Sequence, residues 1–386
     1  MKENHFDYII IGAGMSGLQL ALKLSEDIFF QDKKIAVIDS EWEQKNDKTW
    51  CFWEKDTTHW DNIAYKSWRK GEFLSKKRRL CFDLSPYYYK MIRSEDFYSY
   101  IVPILNARHN LTLIKETFIK WKENQKEVIV TTDKSVYISD FLFDSSSSQD
   151  FKTDTQYIKV WQHFKGIEIE TNEPCFNPDV FRMMDYRLSY PKSTSFMYVL
   201  PFNPQKALVE FTFFSPFFVD EKVYDEYLEN YIRKYIKSEK YQIIRMEKGV
   251  IPMTTFPFNR YNTNRCLKIG TAGGWVKPSS GYAFKNTEKR ILQVLKNIKE
   301  GKTLSEGLFS KKYQFYDDIF LRVLCENNEL GVWIFEQFYF KNKIQDMFLY
   351  LDEEINLEKD IRIMSSLFSR DFLNAFMKYI MKGKRK

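Results

Sequence analysis

The feature that most constrains this chain is a cluster of glycines close to its start. Residues 7–11 read Asp-Tyr-Ile-Ile-Ile and pass directly into Gly12-Ala13-Gly14-Met15-Ser16-Gly17. Leu18, Leu20, Ala21, Leu22 and Leu24 follow at helical spacing. Buried strand, glycine loop and helix in that order predict the first crossover of a doubly wound α/β sheet. Gly12 lets the chain turn sharply, Gly14 lets the backbone approach a pyrophosphate, and Gly17 lets the helix lie close against the strand. The bare N–H groups at the helix start then face the anion. A second strand over 34–39 ends in Asp39, 22 residues beyond Gly17, where such folds set a carboxylate against a ribose hydroxyl. The fingerprint is common to FAD and nicotinamide enzymes and does not choose between them.

Downstream the pattern changes twice. Residues 42–89 are rich in Trp, Tyr, Lys and Asp with little periodicity, which predicts irregular structure over the bound nucleotide. Ser94 is a candidate cap for a helix carrying Phe97, Tyr100, Ile101 and Ile104, and strands are expected at 111–114, 128–131 and 141–143. From 157 to 214 strand follows strand with no helix between, the signature of an antiparallel sheet. Residues 196–201 and 207–214 form a hairpin across Asn203-Pro204. Alternation puts Leu208, Glu210, Thr212 and Phe214 on one face of its second strand and Val209, Phe211 and Phe213 on the other. Glu210 is thus a carboxyl among apolar neighbours. A helix near 223–235 precedes a strand at 267–270 that delivers a second glycine cluster, Gly270, Gly273 and Gly274, and so a return to the first sheet. Beyond Thr303 the chain reads helical. Phe372, Ala375, Phe376, Tyr379 and Ile380 keep the stripe of an amphipathic helix with basic flanks, suited to core packing or to docking on a membrane.

Composition narrows the function classes. The 386 residues are 44 % hydrophobic and 17 % aromatic, with 34 Phe and 24 Tyr, which suits apolar cavities and planar ligands as well as an ordinary core. The net charge of +7 arises from 59 basic against 52 acidic residues, so nucleic-acid binding is not demanded. The basic stretches 76–79 and Lys382, Lys384, Arg385 and Lys386 read as solvated surface or as contacts to anionic headgroups. Cysteines at 51, 81, 175, 266 and 325 form no C-x-x-C pair and histidines at 5, 59, 109 and 163 form no ligand cluster, so no metal site is expected. An odd thiol count without a secretory signal suits a reducing cytosol. No run of about 18 apolar residues is present, so any membrane contact is expected from one side.

Several strings together resemble the bacterial lycopene β-cyclases. They are Asp47-Lys48-Thr49-Trp50-Cys51-Phe52-Trp53-Glu54, then Met91-Ile92-Arg93-Ser94, Leu208-Val209-Glu210-Phe211-Thr212, residues 249–254, and Ile269-Gly270-Thr271-Ala272-Gly273-Gly274-Trp275 continuing to Tyr282. Leu351-Asp352-Glu353-Glu354 extends the match into the helical region. The resemblance implies a Rossmann-type FAD-binding domain with an antiparallel β-sheet substrate lobe and a helical C-terminal lobe. The expected division is 1–155 for the first part of the FAD domain, 156–245 for the substrate lobe, 246–305 for the return segment and 306–386 for the helical lobe. It further implies closure of the ψ-ends of lycopene to β-rings, giving γ-carotene and β-carotene, without net oxidation and with NAD(P)H keeping the FAD reduced. The expected location is cytoplasmic, peripherally attached to the inner membrane.

Carried onto this chain, the family's proton donor falls on Glu210. Many relatives place a second acid immediately after it; Phe211 stands there instead. Thr271 follows Gly270 where flavin hydroxylases usually carry Asp, and Lys48 replaces an Arg common in relatives. Gly12, Gly14, Gly17, Asp39, Arg93, Gly270, Gly273 and Gly274 are the candidate cofactor contacts, and Trp50, Phe52, Trp53 and Trp275 the candidate cavity wall. The chemistry asks for a Glu210 kept protonated by burial and for a dry, π-rich wall around a carbocation. Two other readings share the glycine fingerprint and the antiparallel lobe: an FAD-dependent monooxygenase on an apolar substrate, and a non-catalytic flavin or carotenoid carrier at the membrane surface.

Overall fold

The strand His5–Ile11 carries no polar alternation because both its faces are covered. Tyr8 and Ile10 pack into one apolar cluster, Ile9 and Ile11 into another. Such a strand belongs at the centre of a parallel sheet. In the computed structural model, which describes residues 4–42, 46 and 48–383, it lies parallel to Ile35–Asp39 on one side and Val136–Asp144 on the other. Leu111–Lys115 pairs outside Ile35–Asp39, and Cys266–Lys268 returns to pair parallel with Val136–Asp144. Val128–Thr132 and Phe118–Glu123 extend the sheet antiparallel. The helices Met15–Glu26, Ser94–Asn106 and Phe284–Lys299 bury apolar faces in the cluster that holds Tyr8.

A second seven-stranded sheet runs in the order Tyr241–Thr254, Lys159–Thr171, Lys206–Ser215, Ser195–Pro201, Val180–Asp185, Lys70–Leu74, Arg79–Asp83. Its neighbours are antiparallel except Val180–Asp185 with Lys70–Leu74. Alternation decides which residues face which layer. Val209, Phe211 and Phe213 pack under the helix Glu221–Tyr231 together with Leu228 and Tyr231. Leu208 and Phe214 point the other way, into a cluster with Ile319, Phe335, Phe338 and Phe348 from the C-terminal helices. Those helices are Lys311–Glu326, Gly331–Lys341, Ile344–Leu351, Leu357–Ser366 and Arg370–Gly383. A dinucleotide-type sheet, an antiparallel lobe and a helical lobe are therefore the layers of the molecule. No helix among the described residues is long and apolar enough to cross a membrane.

The structure departs from expectation in the segment 42–89. It is not irregular: Thr49–Glu54, Lys66–Trp68 and Tyr88–Arg93 form a three-stranded sheet, and Lys70–Leu74 and Arg79–Asp83 complete the edge of the large antiparallel sheet. The alternation is hidden because Thr49–Glu54 is sandwiched between two cores, with Phe52 in one and Trp53 in the other. Ser94 is the first helical residue rather than the cap; its Oγ accepts from the Lys48 N–H at 3.2 Å and anchors the helix start to that strand. Phe118–Glu123, unanticipated, is an edge strand of exposed and half-buried side chains with no buried residue. The boundary expected at 245/246 falls inside the continuous strand Tyr241–Thr254. Asp47 and the tail residues Lys384, Arg385 and Lys386 lie outside the described residues, as does the side chain of Lys382.

Candidate active site

A cavity of about 660 Å³ runs between the layers. Its wall includes Gly14, Ser16 and Gly17 of the glycine loop, Glu210 of the antiparallel sheet, and Phe338 and Phe372 of the helical lobe. One continuous space thus touches all three layers, at the interface where small-molecule sites are most often built.

At the glycine-loop end the wall is backbone. Gly12 has φ +97°, and a Cβ there would lie 2.0 Å from the Ser145 Oγ. A Cβ on Gly17 would lie 2.0 Å from the Gly12 carbonyl oxygen, so the helix meets the loop with no room for a side chain. Gly14 differs: nothing lies within 4 Å of its Cβ position, and it opens on the cavity. It also precedes the helix Met15–Glu26, whose start carries no side-chain cap. Unsatisfied N–H groups beside open space form a cradle for an anion. Beside the glycine loop Gly270 adopts φ +61° and lies against Ser16 in the cavity wall. The Gln162 Oε1 and Ser280 Oγ are buried in the cavity wall with no partner among the described residues. Buried polar atoms of this kind call for a partner, and the polar edge of a planar heterocycle supplies one. Cradle and orphan acceptors together fit a dinucleotide.

At the other end the wall is acidic and aromatic. Glu210 is 7 % exposed, and its Oε1 accepts from the Thr212 hydroxyl at 2.5 Å. Burial, reinforced by the nearby Glu247 and opposed by that hydrogen bond, pushes its carboxyl up to about 8. Glu247, also buried, accepts from the Thr49 hydroxyl at 2.7 Å and pairs with Arg245 at 3.0 Å, both through Oε2. Burial raises it too, with Arg245 the largest opposing influence. The Tyr89 hydroxyl bonds the hydroxyls of Tyr198 at 2.7 Å and Tyr282 at 2.8 Å, and burial holds all three phenols neutral, well above their usual range. The Cys51 thiol in the same wall is pushed up to about 12 by burial. This end therefore offers one protonated carboxyl, π-faces and neutral hydroxyls.

Of the residues singled out from sequence, Gly14, Gly17, Trp50, Trp53, Glu210 and Gly270 line the cavity. Phe52 and Trp275 do not. On Thr49–Glu54 the odd positions Cys51 and Trp53 face the antiparallel lobe, while Phe52 points back to stack on Phe284 at 4.6 Å. Trp275 is 1 % exposed in the dinucleotide-fold core. Arg93 is likewise turned away from the cavity: it pairs with buried Glu168 at 2.8 Å and stacks 3.4 Å from the Tyr65 ring centroid. Asp39 holds the glycine loop itself, accepting from the Ala13 N–H at 2.6 Å and the Glu41 N–H at 2.9 Å. Gly273 and Gly274 serve backbone packing, against the Lys268 carbonyl and the Phe258 ring. Sequence reasoning missed Glu247 and the tyrosine trio. The available signal was Gly166, a glycine inside a strand, which marks a place where something approaches closely.

Comparison with known proteins places the fold and the family. The solved structures that the chain resembles include a geranylgeranyl bacteriochlorophyll reductase-like protein from Thermoplasma acidophilum, with TM-score 0.62 and 10 % identity over 96 % of this chain and 98 % of that one. A flavoprotein/dehydrogenase from Cytophaga hutchinsonii gives TM-score 0.62 and 13 % identity over 98 % and 100 %. The halogenase PltM, solved in complex with phloroglucinol and FAD, gives 0.59 and 11 % over 98 % and 92 %. At such identities the likeness establishes the flavoprotein fold alone. Comparison with curated proteins gives no match. The family model described as lycopene cyclase protein matches residues 7–377. With nearly the whole length matched, and with a buried carboxyl and a nucleotide cradle opening on one cavity, the chain belongs to the lycopene cyclase family.

Proposed function

We propose that the protein is a lycopene β-cyclase, which closes the ψ-ends of lycopene to β-rings by acid catalysis in a site shared with reduced FAD. The observation that carries this reading is Glu210: a carboxyl shifted to about 8 by burial, in the wall of an apolar cavity that continues to the glycine loop. An ordinary exposed carboxyl would be ionised at neutral pH and unable to donate.

Glu210 gives its proton to the terminal alkene, and the resulting tertiary cation is attacked by the neighbouring double bond. Loss of a ring proton then leaves the β-ring. Trp53, stacked 4.4 Å from Phe348 and edge-on to Tyr282 at 4.6 Å, presents a π-face to that charge. Trp53 is held by its Nε1–H, which donates to Asp352 at 2.7 Å. The neutral phenols of Tyr89, Tyr198 and Tyr282 add polarity to the wall without adding an ionised nucleophile. Gly12, Gly14 and Gly17 would hold the pyrophosphate of FAD, with Gly270, Gln162 and Ser280 lining the same space. Bound in its reduced form, with NAD(P)H as reductant, FAD would supply negative charge near the cation in a low dielectric.

The reading extends to the membrane. Met364, Leu367 and Phe372, of the last two helices and the turn between them, line the cavity, while Leu357, Ile361, Phe368 and Met377 of the same segment are 69, 59, 73 and 52 % exposed. An apolar outer surface on the helices that wall the cavity suits uptake of a polyene from a lipid layer. It fits peripheral attachment at the cytoplasmic side of the inner membrane, testable by flotation with anionic vesicles.

Expression in lycopene-accumulating cells tests the activity: γ-carotene and β-carotene are expected, and unchanged pigments would refute it. The fold shared with PltM keeps flavin-dependent oxidation of an apolar substrate as the second reading. Anaerobic product formation with catalytic rather than stoichiometric NAD(P)H separates the two. A non-catalytic carrier would leave the pigments unaltered while retaining flavin.

A further inference from the structure

The second carboxyl that many relatives place next to the proton donor is replaced here by Phe211, which points away from the cavity into the core beneath the helix Glu221–Tyr231. A second buried carboxyl nevertheless reaches the cavity from another strand. Gly166 of Lys159–Thr171 pairs with Glu210 on one side and with Glu247 on the other, and Glu210 in turn pairs with Tyr198. Glu247, Gly166, Glu210 and Tyr198 therefore form one transverse row across four strands. Side chains in such a row project from the same face of the sheet. The glycine is what lets the two acids meet: a Cβ on Gly166 would lie 3.2 Å from the Glu247 Cγ and 3.5 Å from the Glu210 Cβ. The Glu247 side chain thus leans over the glycine towards Glu210, and both line the cavity.

We infer that Glu247 is the second catalytic carboxyl of this site, the base that removes the ring proton after Glu210 has started the closure. The inference rests on the ring-closure reading above. The surroundings of the two acids assign their roles. Glu247 is bonded through Oε2 to Arg245 and Thr49, which favours its ionised form, and no described residue donates to its Oε1. Glu210 has a hydroxyl for its only bonded partner among the described residues and no cation. Two like-charged carboxylates this close resist ionising together, so the pair holds one proton, on Glu210. The other titratable groups facing the pair are Arg245, Glu168 beyond it, Cys51 of the adjoining strand, and Tyr198 and Tyr282; burial holds the thiol and the two phenols neutral, and Glu168 is paired with Arg93 and Lys206.

The step balances without a further reagent. The Glu210 O–H bond breaks as a C–H bond forms at the alkene, and the cation is consumed as the ring C–C bond forms. The ring C–H bond next to the new cationic carbon then breaks, its electron pair becoming the ring double bond and its proton passing to Glu247. Redistribution of that proton, with Glu210 regaining one, restores the starting state, and the whole is an isomerisation.

The test uses FAD-loaded protein with vesicle-borne lycopene in deuterated water, comparing the parent with Glu247→Gln, Glu247→Asp and Glu210→Gln. Glu247→Gln should bind flavin with an unchanged absorption spectrum and slow ring closure about 100-fold. It should also return unreacted lycopene carrying deuterium at the chain end, because Glu210 still protonates the alkene and the unresolved cation reverts. Glu247→Asp, which keeps the charge but withdraws it, should recover part of the closure rate and show a smaller deuterium exchange than Glu247→Gln. Closure at the parent rate in Glu247→Gln, or lost closure without deuterium in recovered substrate, overturns the role. If Glu247→Gln does not retain flavin, Glu247→Asp decides: a slowed closure with deuterium exchange supports the base, and an unslowed one removes it. Absence of closure in the parent would instead defeat the ring-closure reading itself, and closure surviving in Glu210→Gln would remove Glu210 as its proton donor.

Discussion

The two ends of the cavity are built by opposite means. At the glycine loop the chemistry is backbone: a turn at positive φ, a helix start without a cap and an absence of side chains over Gly14, all within six consecutive residues. At the acid end it is side chain: Glu210, Glu247 and Tyr198 come from three strands and are aligned by sheet register. At the first end Gly12 and Gly17 tolerate no added atom, whereas the second end tolerates no change of charge. Substitutions that respect one rule and break the other separate the two ends experimentally.

The largest effect is expected at the acid end. Glu210→Gln keeps the shape but has no transferable proton, and ring closure should fall by about 10³-fold with flavin content unchanged; measurable cyclised pigment at the parent level would break the contrast. Next is pH. Closure needs the protonated form, so the rate should fall above about pH 8, where Glu210 ionises. The sign for stability follows from the same shift. Between the ordinary carboxyl value of 4.5 and about 8 the folded state binds the Glu210 proton more tightly than the unfolded state. Stability contributed by this group is therefore full below 4.5 and lost as pH rises through that window. Glu210→Gln lacks the loss, so its melting temperature relative to the parent should climb across the window; parallel pH profiles would contradict the burial of the charge.

At the backbone end, Gly17→Ala forces a Cβ against the Gly12 carbonyl oxygen. It should cost about 1–3 kcal/mol by overpacking and weaken flavin retention, read by denaturant titration and flavin absorbance. The smallest effects sharpen the boundary between the layers. Phe52→Leu should cost about 1 kcal/mol of stability and leave the product pattern alone, since Phe52 faces the dinucleotide fold. Trp53→Phe, one residue on, should alter closure through loss of the Asp352 bond and of π-surface. Reversal of these two outcomes would put the wrong face of the strand on the cavity.

The same contrast explains what could be read from the amino-acid sequence. The glycine loop is contiguous, and so the strand, turn and helix around Gly12, Gly14 and Gly17 were legible, as was the antiparallel lobe from its alternation. Glu210 was legible because Leu208, Thr212 and Phe214 share its face. The partnership with Glu247 was not, since the two lie on strands separated by a third and nothing local announces their register. The strands between 49 and 93 were hidden for a related reason: packed between two cores, Thr49–Glu54 shows apolar residues on both faces and no alternation. Phe52 and Trp275 were misassigned to the cavity because an aromatic residue looks alike in sequence whether it fills a core or walls a site. The pairing of Arg93 was not legible either, because Glu168, the buried charge it bonds, lies 75 residues away.

The central claim is that Glu210 carries its proton at neutral pH inside the cavity. Infrared difference spectroscopy of the FAD-loaded protein against Glu210→Gln reads this directly. The account predicts a protonated-carboxyl stretch at neutral pH that is absent from the variant and fades as the pH passes about 8. A spectrum showing only carboxylate at that position from mildly acidic pH upward would contradict it.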